Sequence, residues 1–129
     1  MILIDALYVN NGGGKRLLNL FVKELSKINN NVFYLFDSRV NGDFNFLDKN
    51  KVAYVNASLF KRHIFYLKNK NKFTCVFSFG NIPPTISLKL PVYTYFHNYT
   101  FLMNGIYGFS LLKSLIIRLL NRNTSYWVV

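Results

Sequence analysis

Carboxylates are what this chain is shortest of. Asp5, Glu24, Asp37, Asp43 and Asp48 are all it has, against 16 lysines and arginines, for a formal net charge of +11. None lies beyond Asp48, so everything after it is uniformly cationic. Such a surface favours anionic partners: phosphates, nucleic acid or acidic lipid headgroups. The single cysteine, Cys75, excludes an internal disulfide framework and sits in an apolar run, where it reads as a small core residue. No Cys, His or Asp cluster has metal-ligand spacing, so no metal site is expected. No basic segment precedes the short N-terminal apolar run, which Asp5 interrupts, so no secretory signal is expected. No run of about 18 uncharged apolar residues occurs, so no spanning helix is expected either. Internal repeats and linkers are also missing. What is present is a hydrophobic fraction of 51% and an aromatic fraction of 18% in 129 residues. That excludes disorder and suits one domain, 1–129, with a sizeable core.

Strand-like and helix-like segments alternate, which predicts an α/β fold: a Rossmann-like, doubly wound, mostly parallel sheet with helices on both faces. The first strand is expected over Ile2–Val9, and the first helix over Lys15–Ile28 with Leu17, Leu18, Phe21, Val22, Leu25 and Ile28 on its inner face. Further strands are expected over Val32–Phe36, Val52–Val55, Phe73–Phe79 and Val92–Phe96, with a polar loop over 37–50. A second helix over Ala57–Lys70 places Leu59, Phe60, Ile64 and Leu67 inward and Lys61, Arg62, Lys68 and Lys70 mostly outward. His63, at the margin of that apolar face, reads as structural. The continuous apolar run of Phe73–Phe79 suits a buried central strand. Phe109–Arg122 is helical in pattern with a narrow polar stripe, so it either packs deeply or lies on a membrane. Tyr126-Trp127-Val128-Val129 begins another strand, and the abrupt end suggests a truncated or longer parent protein.

The opening stretch carries the strongest functional signal. A β-prone run meets Asn10-Asn11-Gly12-Gly13-Gly14, and a helix pattern follows at Lys15-Arg16-Leu17-Leu18. Glycines let a backbone approach a phosphate, and the first N–H groups of a helix point outward unpaired. Two cations in the first turn oppose the helix dipole, a local rule broken where an anion is bound. A P-loop is rejected, because Val9 stands where its first glycine belongs and Arg16 where its hydroxyl belongs. A dinucleotide fingerprint is a near miss, with Leu17 at the third glycine. Asp37, at the end of the second strand, would then bind a ribose.

Three stretches together, Gly12-Gly13-Gly14-Lys15-Arg16-Leu17-Leu18, Phe79-Gly80-Asn81-Ile82-Pro83-Pro84 and Tyr95-Phe96-His97-Asn98, resemble the N-terminal half of family 4 glycosyltransferases. The resemblance spans essentially the whole chain, and the order and spacing of the motifs carry it. It implies a GT-B N-terminal domain on the acceptor side. It also implies sugar transfer from a UDP- or GDP-sugar to a lipid-linked or polysaccharide acceptor, with retention and without metal. Such enzymes carry an acidic E-x7-E motif in a C-terminal, nucleotide-sugar-binding domain. No Glu follows Glu24 here, so that domain is absent from this sequence, and the chain is expected to be inactive alone.

Under this resemblance His97 is the catalytic or sugar-contacting candidate, able to donate a hydrogen bond or stabilise developing charge. Gly12, Gly13, Gly14, Lys15, Arg16 and Asn98 are candidates for donor phosphate or acceptor binding. Asn81, Pro83 and Pro84 form the candidate acceptor loop, because proline fixes φ and restrains its neighbour. Lys113, Arg118 and Arg122 with Leu112, Ile116 and Leu119 form a candidate membrane surface. The implied location is peripheral, at the inner face of the cytoplasmic membrane, with the missing domain supplied downstream or by a partner chain. The alternatives are a non-catalytic basic α/β module that binds nucleic acid or anionic membrane, and a dinucleotide-dependent oxidoreductase. Nucleic acid is disfavoured because no recognised motif for it occurs.

Overall fold

A computed structural model of the chain describes residues 1–96, 115–116 and 119–128. Six strands form one all-parallel sheet: β1 (Ile2–Ala6), β2 (Val32–Asp37), β3 (Val52–Val55), β4 (Cys75–Ser78), β5 (Val92–Tyr95) and β6 (Tyr126–Val128). Their spatial order is β3-β2-β1-β4-β5-β6. Among the described residues, the helices α1 (Gly12–Ile28) and α2 (Leu59–Asn69) flank the sheet. The architecture is α/β and Rossmann-like.

Successive strand residues point to opposite faces, and this sorts the core into two layers. Ile4 and Ala6 of β1, with Val32, Tyr34 and Phe36 of β2, meet Leu18 and Val22 of α1. Leu3, Leu7, Leu35, Val76 and Val92 face the other way and meet Phe65 and Tyr66 of α2. The sheet is therefore wound on both sides. The 38–51 connection holds short 3-10 turns and is pinned to the α1 layer by Val40 and Phe44, with Phe44 stacked on Phe36 at 4.2 Å. The 79–91 connection is held to the α2 layer by Ile86, Leu88 and Leu90. At the far edge β6 is joined to β5 in register and by stacking of Tyr126 on Tyr93.

The strand over Ile2–Val9 is shorter than expected, ending at Ala6, because Val9 N–H turns back to the Ala6 carbonyl at 3.0 Å. The first helix starts earlier than expected and takes in all three glycines. Its inner face is Leu18 and Val22 with Phe21 and Leu25 half-buried. Leu17 is 41% and Ile28 83% exposed, so these two do not belong to it.

The larger correction concerns α2. Arg62, expected outside, is buried with Phe65 and Tyr66, whereas Leu59, Phe60 and Leu67, expected inside, are exposed. The cause lies in β1. Alternation turns Asp5 into the α2 layer with Leu3 and Leu7, and a carboxylate there requires partners. Arg62 Nε donates to Asp5 Oδ2 at 2.8 Å, Tyr66 Oη donates to the same oxygen, and Leu7 N–H reaches Oδ1 at 3.3 Å. Ser78 is the register neighbour of Asp5 on β4, and Arg62 Nη2 donates to its hydroxyl at 3.0 Å. The same guanidinium holds the Ile82 carbonyl at 2.8 Å and the Pro83 carbonyl at 2.7 Å. Burial works against the Arg62 charge, but the facing Asp5 carboxylate outweighs it and raises the guanidinium pKa. Burial, reinforced by Asp5, pushes the Tyr66 phenol well above its ordinary range.

Leaving either member of a buried pair without the other strands a charge. Arg62→Met and Asp5→Asn should each cost about 3–5 kcal/mol in urea unfolding. The Asp5→Asn/Arg62→Met double variant should cost clearly less than the sum. Additive losses would mean that the two residues act independently.

Candidate functional site

In an open α/β sheet, ligands bind outside the carboxyl ends of the strands where the strand order reverses. Here the chain builds β2 and β3 on one side of β1 and then crosses to β4 on the other, so the reversal lies between β1 and β4. The connections leaving these strands meet closely: a Cβ built on Gly80 would lie 3.4 Å from Val9 Cγ2.

The β1 connection is drawn toward β2 by Asn10, whose amide donates to Asp37 Oδ2 at 3.1 Å. Asn11 then caps α1 in extended backbone, but its side chain makes no capping bond. Lys15 N–H is bonded to the Asn11 carbonyl at 3.2 Å, so the three glycine N–H groups before it precede the first helical bond of α1. Gly12 has φ of +60, a conformation that favours glycine. No atom lies within 4 Å of a Cβ built at Gly12 or Gly13, so the helix start faces open space. The glycines are thus the first turn of the helix itself.

The two basic residues of that turn are not equivalent. Lys15 Nζ pairs with Asp43 at 2.7 Å and ties α1 to the 38–51 connection. Arg16 is exposed and has no ion pair among the described residues. The expectation of two cations free for an anion therefore reduces to one from this turn. Arg39, which follows β2 and was not among the expected site residues, is likewise paired. Its side chain is exposed, and its Nε and Nη2 are fastened to the buried carboxylate of Asp37. Asp37 also accepts from Arg39 N–H and from Asn10. Its oxygens are committed, so the ribose-binding role expected of it is not available. Local sequence held the signal: Asp37-Ser38-Arg39 is an Asx turn in which the carboxylate caps the next backbone and grips the arginine.

On the β4 side, Asn81 is half-buried with φ of +63, and its N–H donates to the Tyr95 carbonyl at 3.2 Å. Pro83 and Pro84 are buried. Their carbonyls are taken by Arg62 and by the Asn123 amide, the latter at 2.8 Å. They brace the connection. Tyr8, just past β1, lies 5.5 Å from the Arg62 guanidinium, and its hydroxyl is buried without a partner among the described residues. Burial raises its pKa, against the opposing pull of Arg62.

β5 runs parallel to β4 and its neighbours, so the chain leaves it at Phe96 on the same edge as Gly12 and Gly13. His97 and Asn98 lie outside the described residues, as do Leu112, Lys113 and Arg118. Of the other expected membrane residues, Leu119 is exposed, Ile116 half-buried and Arg122 exposed. His63 Nδ1 is 3.3 Å from Thr85 Oγ1, a contact within the α2 layer. Among the described residues no group of three or more His, Cys, Asp or Glu side chains is placed to hold a metal ion. No helix among them is long and apolar enough to cross a membrane. A recess of about 120 Å³ lies at the opposite, amino edge of β2, beside Val32, Tyr34 and Leu47.

Comparison of the chain with family models, with curated proteins and with solved structures finds no match in any of the three.

Burial opposes ionisation of Asp37, but bonds from Arg39 and Asn10 outweigh it and hold the carboxyl below its ordinary range. The stability this contributes is complete above about pH 4, the range of an unfolded carboxyl, and is lost as pH falls through the lower folded value. Asp37→Asn should therefore flatten the acid limb of a plot of melting temperature against pH. An unchanged limb would show that Asp37 is not so held.

Proposed function

We propose that this chain is the acceptor-side half of a GT-B glycosyltransferase that uses the glycine-lined start of α1 against the phosphates of a nucleotide sugar. The observation that carries this reading is the glycine start of α1 beside the β1/β4 reversal, without a side-chain cap and with open space where a Cβ on Gly12 or Gly13 would stand. Arg16 and the anchored Arg39 supply the cations for the phosphate oxygens. Asp37 fixes Arg39 through Nε and Nη2, and the Arg39 side chain is exposed. The motif order described above supplies the choice of sugar transfer over other phosphate chemistry. A second domain, carrying the acidic motif this sequence lacks, would hold the rest of the donor. The same cationic surface would keep the protein at an anionic membrane, near a lipid-linked or polymeric acceptor.

Two measurements test this. In an amide NMR titration with UDP-glucose, GDP-mannose, NADPH and inorganic phosphate, a sugar nucleotide should shift Gly12–Arg16 and Arg39 first. Gly13→Ala should raise stability by about 0.5–1 kcal/mol, since alanine suits a helix better, yet weaken that binding at least tenfold by filling the approach to the backbone. Unchanged binding in Gly13→Ala overturns the phosphate site, and preference for NADPH overturns the sugar-nucleotide reading. Robust turnover by this chain alone would overturn its assignment as half an enzyme. Within a two-domain enzyme, His97→Ala should slow transfer about 100-fold with little change in melting temperature. An unchanged rate demotes His97 to scaffold.

A further inference from the structure

α2 is built inside out. Its buried side carries Arg62, Phe65 and Tyr66, while Phe60 is 72% and Leu67 48% exposed. At 3.6 residues per turn, Phe60 and Leu67 share one line along the helix, opposite Arg62 and Asn69. The apolar residues therefore stand at the pole farthest from the core. Leu59, exposed, and Ile64, half-buried, widen this ridge. Lys61 and Lys68 run along one side of it, and Lys70 and Lys72 follow in the 3-10 turn at its end, all four exposed. α1 also exposes an apolar residue, Leu20, on the side farthest from Leu18 and Val22, but there it stands singly among Arg16, Lys23 and Lys27.

Charge decides what can cover this ridge. The segment from Ser58 to Lys72 contains no Asp or Glu, and the chain as a whole carries +11. Two copies packed ridge to ridge would oppose like charges and bury lysines without partners. A convex apolar ridge between lysines suits the boundary between headgroups and acyl chains of an anionic bilayer. There amphipathic helices seat their apolar face about 5–10 Å deep, and cations meet the headgroups.

We infer that the outer face of α2 is a docking surface for anionic lipid, with Phe60 and Leu67 inserted and Lys61, Lys68, Lys70 and Lys72 on the headgroups. This rests on the membrane part of the reading above, and assigns to α2 what the sequence assigned to 109–122. It also fits the site. α2 follows the carboxyl end of β3, so Phe60, in its first turn, lies toward the edge of the sheet that bears the glycine start of α1. A lipid-linked acceptor would arrive beside that edge.

The test is co-sedimentation of the whole chain with vesicles of phosphatidylcholine, alone or with one-third phosphatidylglycerol, by three proteins: wild type, Phe60→Ser/Leu67→Ser and Ile116→Ser/Leu119→Ser. Wild type should bind the anionic vesicles at least tenfold more tightly than the neutral ones. Phe60→Ser/Leu67→Ser should lose at least tenfold in affinity with unchanged circular dichroism and melting temperature, as expected for exposed positions. Wild-type affinity in this variant overturns the proposal, as does absence of binding to anionic vesicles. A dimer in solution that the same variant dissociates shows a second copy on the ridge and overturns it too. Loss confined to Ile116→Ser/Leu119→Ser overturns α2 as the docking face while leaving membrane association standing. Failure of the sugar-nucleotide titration with vesicle binding intact separates the fall of the transferase reading from this one.

Discussion

The contact between Asp5 and Arg62 holds together more of this molecule than any other pair of side chains described. One carboxylate on an inner strand forces an arginine into the core, and that arginine reaches β1, β4 and the connection after β4 at once. A buried ion pair is weak evidence for stability, because desolvation offsets much of its attraction. Its effect here is on arrangement. With Asp5 facing the α2 layer, every other rotation of α2 leaves a charge unpaired, so the rotation of that helix is set by one residue 57 positions earlier.

Two consequences spread from that rotation. Inward, Arg62 grips the carbonyls of Ile82 and Pro83, which brings Gly80 against Val9 and fixes the rim between β1 and β4. Outward, it turns Leu59, Phe60 and Leu67 to the surface. The β1/β4 rim and the exposed apolar ridge of α2 are thus two ends of one constraint. The opposite layer has no buried ion pair among the described residues. There Leu18 and Val22 of α1 pack on Ile4, Ala6 and Phe36, and the helix keeps its charges outside.

The rim is assembled from residues whose charges are partly spent within the protein. Lys15 is paired with Asp43, and Asp37 is taken by Arg39 and Asn10. Arg16, the Arg39 side chain, Gly12 and Gly13 remain exposed. That leaves the rim suited to an anion and unsuited to a neutral diol, which needs a carboxylate free to accept. The absence of any Asp or Glu after Asp48 keeps the whole of the later chain from competing for those cations.

Period and composition by themselves determined the α/β class, the parallel sheet and six strands, within a few residues at their ends. Val52–Val55 is expected and observed over the same residues because turn-forming segments bound it on both sides. Local signals also mark the glycine start of α1, since strand, glycines and helix follow one another in the chain. Tertiary structure decided the inner face of α2, whose segment Leu59–Asn69 offers two competing stripes. Hydrophobicity favours Leu59, Phe60, Ile64 and Leu67. The observed stripe, Arg62, Phe65 and Tyr66, wins because a buried carboxylate must find its donors, and which face Asp5 takes is fixed only when β1 pairs with β2 and β4. The role of Lys15 was settled in the same way, by Asp43 on another segment, a partner that no local pattern announces.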